Sequence, residues 1–120
     1  VHILVVDDSI NTRDIEKSIL ESYGYKVDVA GDGMDALEKT KGFKYDLVIT
    51  DIEMPRLDGF SLTERLRKDE TYRDTPIVIV TSREKEEDKR RGITAGADAY
   101  IVKGAFDQSN LLETVQSLVG

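Results

Sequence analysis

The chain has no cysteine, which excludes a disulfide framework, a thiol nucleophile and a thiolate metal site. Its single histidine, His2, stands at the start of the first apolar run and reads as a strand-end residue rather than a ligand. No apolar run approaches membrane-spanning length and no signal-peptide pattern opens the sequence, so a cytoplasmic location is the default expectation. Positive charge is in deficit: 17 Lys and Arg face 24 Asp and Glu, a net charge of -7. That balance argues against nonspecific attraction to nucleic acid or to an anionic membrane surface. Repeats, low-complexity tracts and Pro/Gly/Ser-rich linkers are also missing, so 120 residues are expected to form one domain over 1–120.

What remains is an ordinary globular composition, 39% hydrophobic and 34% charged. The sequence starts without an initiator Met, already inside an apolar run, and stops at Gly120 directly after a helical pattern. These ends read as a domain excised from a longer polypeptide, although a trimmed stand-alone protein would look the same.

Short apolar runs alternate with helical patterns. Strands are expected at 2–6, 26–30, 46–50, 76–81 and 99–102, and helices near 10–23, 33–41, 58–69, 84–95 and 107–119. Ile3–Val6, Leu47–Ile49 and Ile77–Val80 are continuously apolar, as strands covered on both faces must be. Lys26–Val29 alternates instead and suits an edge. In the last helix Leu111, Leu112, Val115, Leu118 and Val119 form one stripe, with Asp107 as a candidate cap. In the fourth, Glu86 with Arg90 and Glu87 with Arg91 are favourable pairs four residues apart. Five βα units predict an α/β fold, an open parallel sheet with helices on both faces. Such doubly wound sheets place their sites beyond the carboxyl ends of the strands, where strand order reverses.

Chemistry-bearing residues stand at just those ends. Asp7 and Asp8 follow the first strand, Asp51 the third, Thr81 closes the fourth and Lys103 follows the fifth. Adjacent strands are about 4.8 Å apart, so carboxylates from neighbouring strands can reach one ion. Like charges so close repel unless a cation offsets them. An all-oxygen set with room for water favours Mg²⁺ over zinc. Asp51 is central enough to act as a nucleophile toward phosphorus. Lys103 starts roughly two strand spacings, ~10 Å, away, within reach of a phosphoryl oxygen, and the Thr81 hydroxyl is placed to donate to another. Each residue alone has a plainer explanation. Asp8 or Ser9 is a fitting helix cap, a lysine after a strand is usually solvated, and threonine favours strands. All of them at the ends of four strands form a far less probable coincidence.

At these residues the chain closely resembles the receiver domain of bacterial two-component response regulators. The motifs are V-V-D-D at 5–8, D-L-V-I-T-D at 46–51, M-P-x-L-D-G at 54–59, P-I-V-I-V-T-S at 76–82 and G-A-D-A-Y-I-V-K at 96–103. The resemblance implies a single-domain, flavodoxin-like five-stranded sheet of order 2-1-3-4-5 with five helices. It implies phosphorylation of Asp51 by a phosphohistidine, with Mg²⁺ held by Asp7, Asp8, Asp51 and the backbone carbonyl of Glu53. Thr81 and Lys103 would contact the phosphoryl group, Tyr100 would change rotamer on activation, and Glu53 and Arg83 would tune autodephosphorylation. The partners implied are a histidine kinase or phosphotransfer domain as donor and a downstream protein or fused output domain. No nucleic-acid or membrane contact by this domain is expected, and it is not expected to be an enzyme beyond Mg²⁺-dependent self-phosphorylation and autodephosphorylation.

The stretch from Lys103 to Leu112 looks more specifically like receivers fused behind chemotaxis-type histidine kinases. One position departs from the family pattern: Gly104 stands where proline usually follows the lysine. A cis bond without proline costs about 3–4 kcal/mol, which leaves the 103–104 peptide open between cis and trans. Two other readings stay in view. Glu53, two residues after Asp51, matches the spacing of aspartyl-nucleophile phosphohydrolases, and a receiver-like module that binds partners without phosphorylation would share the fold.

Overall fold

In a computed structural model, residues 1–103 and 108–119 are described. Five strands, β1 (His2–Val6), β2 (Lys26–Ala30), β3 (Leu47–Thr50), β4 (Ile77–Thr81) and β5 (Ala99–Val102), form one sheet of order β2-β1-β3-β4-β5. All neighbouring pairs are parallel. The helices are α1 (Ile10–Glu21), α2 (Gly33–Gly42), α3 (Gly59–Lys68), α4 (Glu86–Ala95) and α5 (Gln108–Val119). Each expected element is present, and the differences lie at the ends.

Those ends have local causes. Asp46 is outside β3, where its carboxylate accepts from the His2 N–H at 2.8 Å. Pro76 lacks an N–H and so precedes β4, although its carbonyl still accepts from Val48 at 3.1 Å. Asp58 caps α3 from outside by accepting from the Ser61 N–H at 2.8 Å. The Asp107 cap and the 103–104 peptide lie outside the described residues.

Period-two alternation divides the central strands between two cores. Ile3, Val5, Leu47, Ile49, Val78 and Val80 face Leu20 of α1 and Leu111, Leu112 and Val115 of α5. Leu4, Val6, Val48 and Ile77 face Ala36 of α2 and Leu62 and Leu66 of α3. Each such side chain contributes about 1.5–3 kcal/mol when fully buried. The sheet is thereby covered on both faces.

Neither of the four-apart ion pairs expected in α4 forms among the described residues. Lys89 approaches Glu86 at 3.6 Å, while Arg91 lies over the Phe60 ring at 4.3 Å. A cation on an aromatic face competes well with an exposed ion pair, which contributes little. No helix among the described residues is long and apolar enough to cross a membrane.

Candidate functional site

Register builds the site. Val6 pairs with Thr50, so Asp7 and Asp51 leave their strands side by side. Backbone bonds carry the ladder one step further: Asp7 N–H donates to Ala30 at 3.1 Å and Asp51 N–H to Val6 at 2.9 Å. Asp7, Asp8 and Asp51 offer carboxylate oxygens that all lie within 4.8 Å of one another. Asp7 and Asp51 are buried and Asp8 is exposed. From the far side of β4, the Lys103 ammonium donates to Asp51 Oδ2 at 3.0 Å and to Asp7 Oδ2 at 3.1 Å.

Each buried carboxylate is held twice. Asp7 Oδ1 accepts from the Ser9 N–H at 2.8 Å, and Asp51 Oδ1 accepts from the Ile52 N–H at 2.7 Å. Ser9, not Asp8, caps α1, its hydroxyl accepting from the Thr12 N–H at 3.3 Å, which leaves Asp8 free for solvent or a ligand. Burial raises the Asp7 pKa above the usual carboxylate range, and the Asp51 charge adds to it, against the opposing pull of Ser9 and Lys103. Burial alone would lower the Lys103 pKa, but its bond to Asp51 and the charges of Asp51 and Asp7 outweigh it and the pKa rises. One ammonium facing three carboxylates leaves the cluster short of positive charge. An all-oxygen donor set with one solvent-facing member fits a hard divalent ion such as Mg²⁺.

Around this centre stand the remaining expected residues. Thr81 is buried between the β3 and β5 ends, and its Oγ1 accepts from the Arg83 N–H at 3.3 Å. The Arg83 side chain donates to Glu53 Oε1 at 3.0 Å and to Asp88 at 3.4 Å. Tyr100 is half-buried and its hydroxyl donates to the Arg83 carbonyl at 2.9 Å. His2 takes no part: it pairs with Asp28 at 3.1 Å and packs against Phe43 and Tyr45.

Two features escaped the sequence reading. Gly59 opens α3 against the Asp51 carbonyl, where a β-carbon would collide with backbone, so only glycine lets α3 start so close to the acid. Glu16 lies on the buried stripe of α1, four residues before Leu20, and is 2% exposed. Thr12 and Arg13 stand one turn before it, so no apolar stripe marked its position.

The family model described as "Response regulator receiver domain" matches residues 3–116. A gliding motility regulatory protein of Myxococcus xanthus is 42% identical over 118 residues, which cover 98% of this chain and 15% of that protein. The chain spans about half the length of the transcriptional regulators it also matches. Among solved structures, chemotaxis protein CheY4 of Vibrio cholerae superposes with a TM-score of 0.91 at 36% identity, covering 98% of this chain and 97% of that one. The receiver domain of the sensor histidine kinase PA1611 of Pseudomonas aeruginosa, solved with a magnesium ion coordinated in its active site cleft, gives 0.91 at 30% identity, covering 99% and 97%.

Proposed function

Because the chain belongs to the response regulator receiver domains, phosphoacceptor modules of two-component signalling, we propose that Asp51 is its acceptor and that the surrounding groups serve that one transfer. The observation that carries this reading is the Lys103 ammonium bridging Asp51 and Asp7 at 3.0 and 3.1 Å beside an open Asp8. Asp7, Asp8, Asp51 and the carbonyl of Glu53 are the groups to hold Mg²⁺. When bound, the ion offsets the charge that gathers where an anionic donor meets an anionic acceptor.

The transfer itself asks little of the protein beyond placement. The Asp51 carboxylate attacks phosphorus in line, the P–N bond of the donor phosphohistidine breaks, and the imidazole departs with the electron pair. Backbone N–H of Ile52 orients the attacking carboxylate. Lys103, already within hydrogen-bond reach of Asp51, passes to a phosphoryl oxygen, and Thr81 gives up Arg83 to donate its hydroxyl to another. That movement frees the loop that Tyr100 holds and changes the face of α4, β5 and α5 offered to a partner. Glu53 and Arg83, paired at the rim, regulate the access of water and so the lifetime of the acyl phosphate. The output partner is a downstream protein or a domain fused to this one, and the domain works in the cytoplasm.

The phosphohydrolase reading is not favoured. Glu53, whose spacing suggested it, is tied to Arg83 and is largely solvent-exposed. The test is incubation with Mg²⁺ and a small phosphodonor, followed by intact mass. One added phosphoryl group is expected, absent in Asp51→Asn. Modification that survives this substitution, or repeated turnover of the donor without a stable adduct, overturns the reading.

A further inference from the structure

Glu16 has no task in the transfer just described, yet it sits beside it. Its Oε2 is buried and has no hydrogen-bond partner among the described residues. Burial pushes the Glu16 carboxyl up to about 8, with the Asp7 charge adding and the Lys103 charge opposing. Glu16 lines a cavity of about 160 Å³ together with Thr12, Ile15, Val80 and Lys103. That is roughly ten times the ~15 Å³ a single water needs, so the volume admits an ammonium. The cavity therefore places an unsatisfied acid beside Lys103, the cation that bonds the acid cluster among the described residues.

The charges around Glu16 are Asp7 at the end of β1, Asp51 at the end of β3 and Lys103 at the end of β5. On α1 itself Arg13 is engaged with the Asp7 carbonyl at 3.3 Å, and on α5, which packs against α1, Glu113 is exposed. The Arg13 Nε is buried without a hydrogen-bond partner among the described residues, and Lys103 is the cation among the groups whose charge acts on Glu16. A divalent ion held by Asp7, Asp8 and Asp51 would compete for the carboxylates that Lys103 now bonds and would repel its ammonium. Glu16, which lines the same cavity as Lys103, is the anion placed to receive that ammonium.

We propose that Glu16 is a positioning residue for Lys103, a second anchor that holds the ammonium in the cavity while a divalent cation occupies the acid cluster. This rests on the reading that the cluster binds Mg²⁺. In the ion-free protein Lys103 belongs to Asp7 and Asp51, and Glu16 stays protonated. With the ion bound, Glu16 releases its proton to solvent and pairs with Lys103. A chain without the second anchor keeps Lys103 in competition with the ion.

The test is a double-mutant cycle on Mg²⁺ affinity, read by calorimetry at neutral pH in the parent, Glu16→Gln, Lys103→Met and the double variant. Glu16→Gln is expected to weaken Mg²⁺ binding about tenfold in the parent and to leave it nearly unchanged when residue 103 is Met. Equal weakening in both backgrounds assigns Glu16 a through-space effect on the ion and overturns the proposal, as does no weakening in either. A parent chain that binds no Mg²⁺ sinks the underlying reading, whereas binding without coupling sinks the second anchor alone. If Glu16→Gln does not fold, nuclear Overhauser contacts in the unsubstituted protein decide. Contacts between the Lys103 ε-methylene and the Glu16 γ-methylene are expected to strengthen on adding Mg²⁺, and their constancy overturns the proposal.

Discussion

Tyr100 and Thr81 grip Arg83 from its two sides: the phenol donates to its carbonyl at 2.9 Å, and the Thr81 hydroxyl oxygen accepts from its N–H at 3.3 Å. One backbone unit therefore couples the end of β4 to the middle of β5. Burial, with the Asp88 charge adding, raises the Tyr100 pKa, so the phenol keeps its donor proton at neutral pH. In the proposed switch, a Thr81 that turned to a phosphoryl oxygen would loosen the loop that Tyr100 holds.

Gly92 gives the Tyr100 ring its room, and substitution there tests the relay. A β-carbon at Gly92 would stand 3.0 Å from Tyr100 Cδ2 and 3.1 Å from Ile79 Cδ1. Alanine gains about 0.5–1 kcal/mol of helix propensity, which offsets mild crowding, so Gly92→Ala should be near neutral in stability while shifting the Tyr100 ring resonances. Gly92→Val overpacks the site and should lose about 1–3 kcal/mol. Urea unfolding with an unchanged m-value reads the stability, and ring resonances that stay in place in both variants would contradict the packing described.

Mg²⁺ should stabilise the fold by neutralising the cluster of Asp7, Asp8 and Asp51. At 100-fold over Kd the gain is about 2.7 kcal/mol, read as a rise in Tm. Asp8 is exposed, so Asp8→Ala should leave the ion-free fold intact and remove most of that gain. A Tm that Mg²⁺ leaves unchanged in the parent but raises in Asp8→Ala would rule the site out.

Period and punctuation made the architecture legible. Ile3–Val6 and Ile77–Val80 are apolar on both faces, and residues 26–29 alternate as an edge strand does. The acids and Lys103 were legible because strand ends in a parallel sheet share an edge, so a one-dimensional pattern fixed a three-dimensional cluster. Side-chain partners were not. Arg91 chose the Phe60 face over Glu87, and Lys89 took Glu86, because long exposed side chains settle by competition among neighbours that the sequence does not position. Glu16 stayed hidden for a related reason: its burial depends on α1 and β4 closing over it, which no local spacing encodes.

Glu16 should also leave a mark on the pH dependence of folding. Its carboxyl is raised from 4.5 to about 8, so between those values the folded chain holds a proton that the unfolded chain has released. Stability therefore falls as pH rises through that window and levels off above it. The slope approaches about 1.4 kcal/mol per pH unit for one such group. Asp7, shifted in the same direction, contributes with the same sign. Glu16→Gln cannot ionise and should flatten the profile, becoming more stable than the parent near pH 8. Urea midpoints that fall in parallel for both chains would place the titrating group elsewhere.

The opposite rim of the sheet offers a control that should move stability without touching the acids. Arg67 donates from Nε to the Gly96 carbonyl at 2.9 Å and from Nη1 to Tyr72 and Thr75 at 3.0 and 2.7 Å. Its Nη2 meets Asp98 Oδ2 at 2.8 Å, and that same oxygen accepts from the Ile77 N–H at 2.9 Å. One planar fork thus satisfies carbonyls from two segments, the 72–75 turn and Gly96, and fixes the carboxylate that starts β4. Lysine carries the charge but not the fork, so Arg67→Lys should cost about 1–3 kcal/mol by leaving half-buried carbonyls unpaired. Ile77 and Asp98 precede or open their strands, whereas the acids follow theirs, so the two rims are separated by the strand length. Mg²⁺ affinity measured below the unfolding transition should therefore match that of the parent. An affinity that dropped in step with stability would mean that the acid cluster depends on the far rim, and that the sheet is not the rigid divider its packed faces make it.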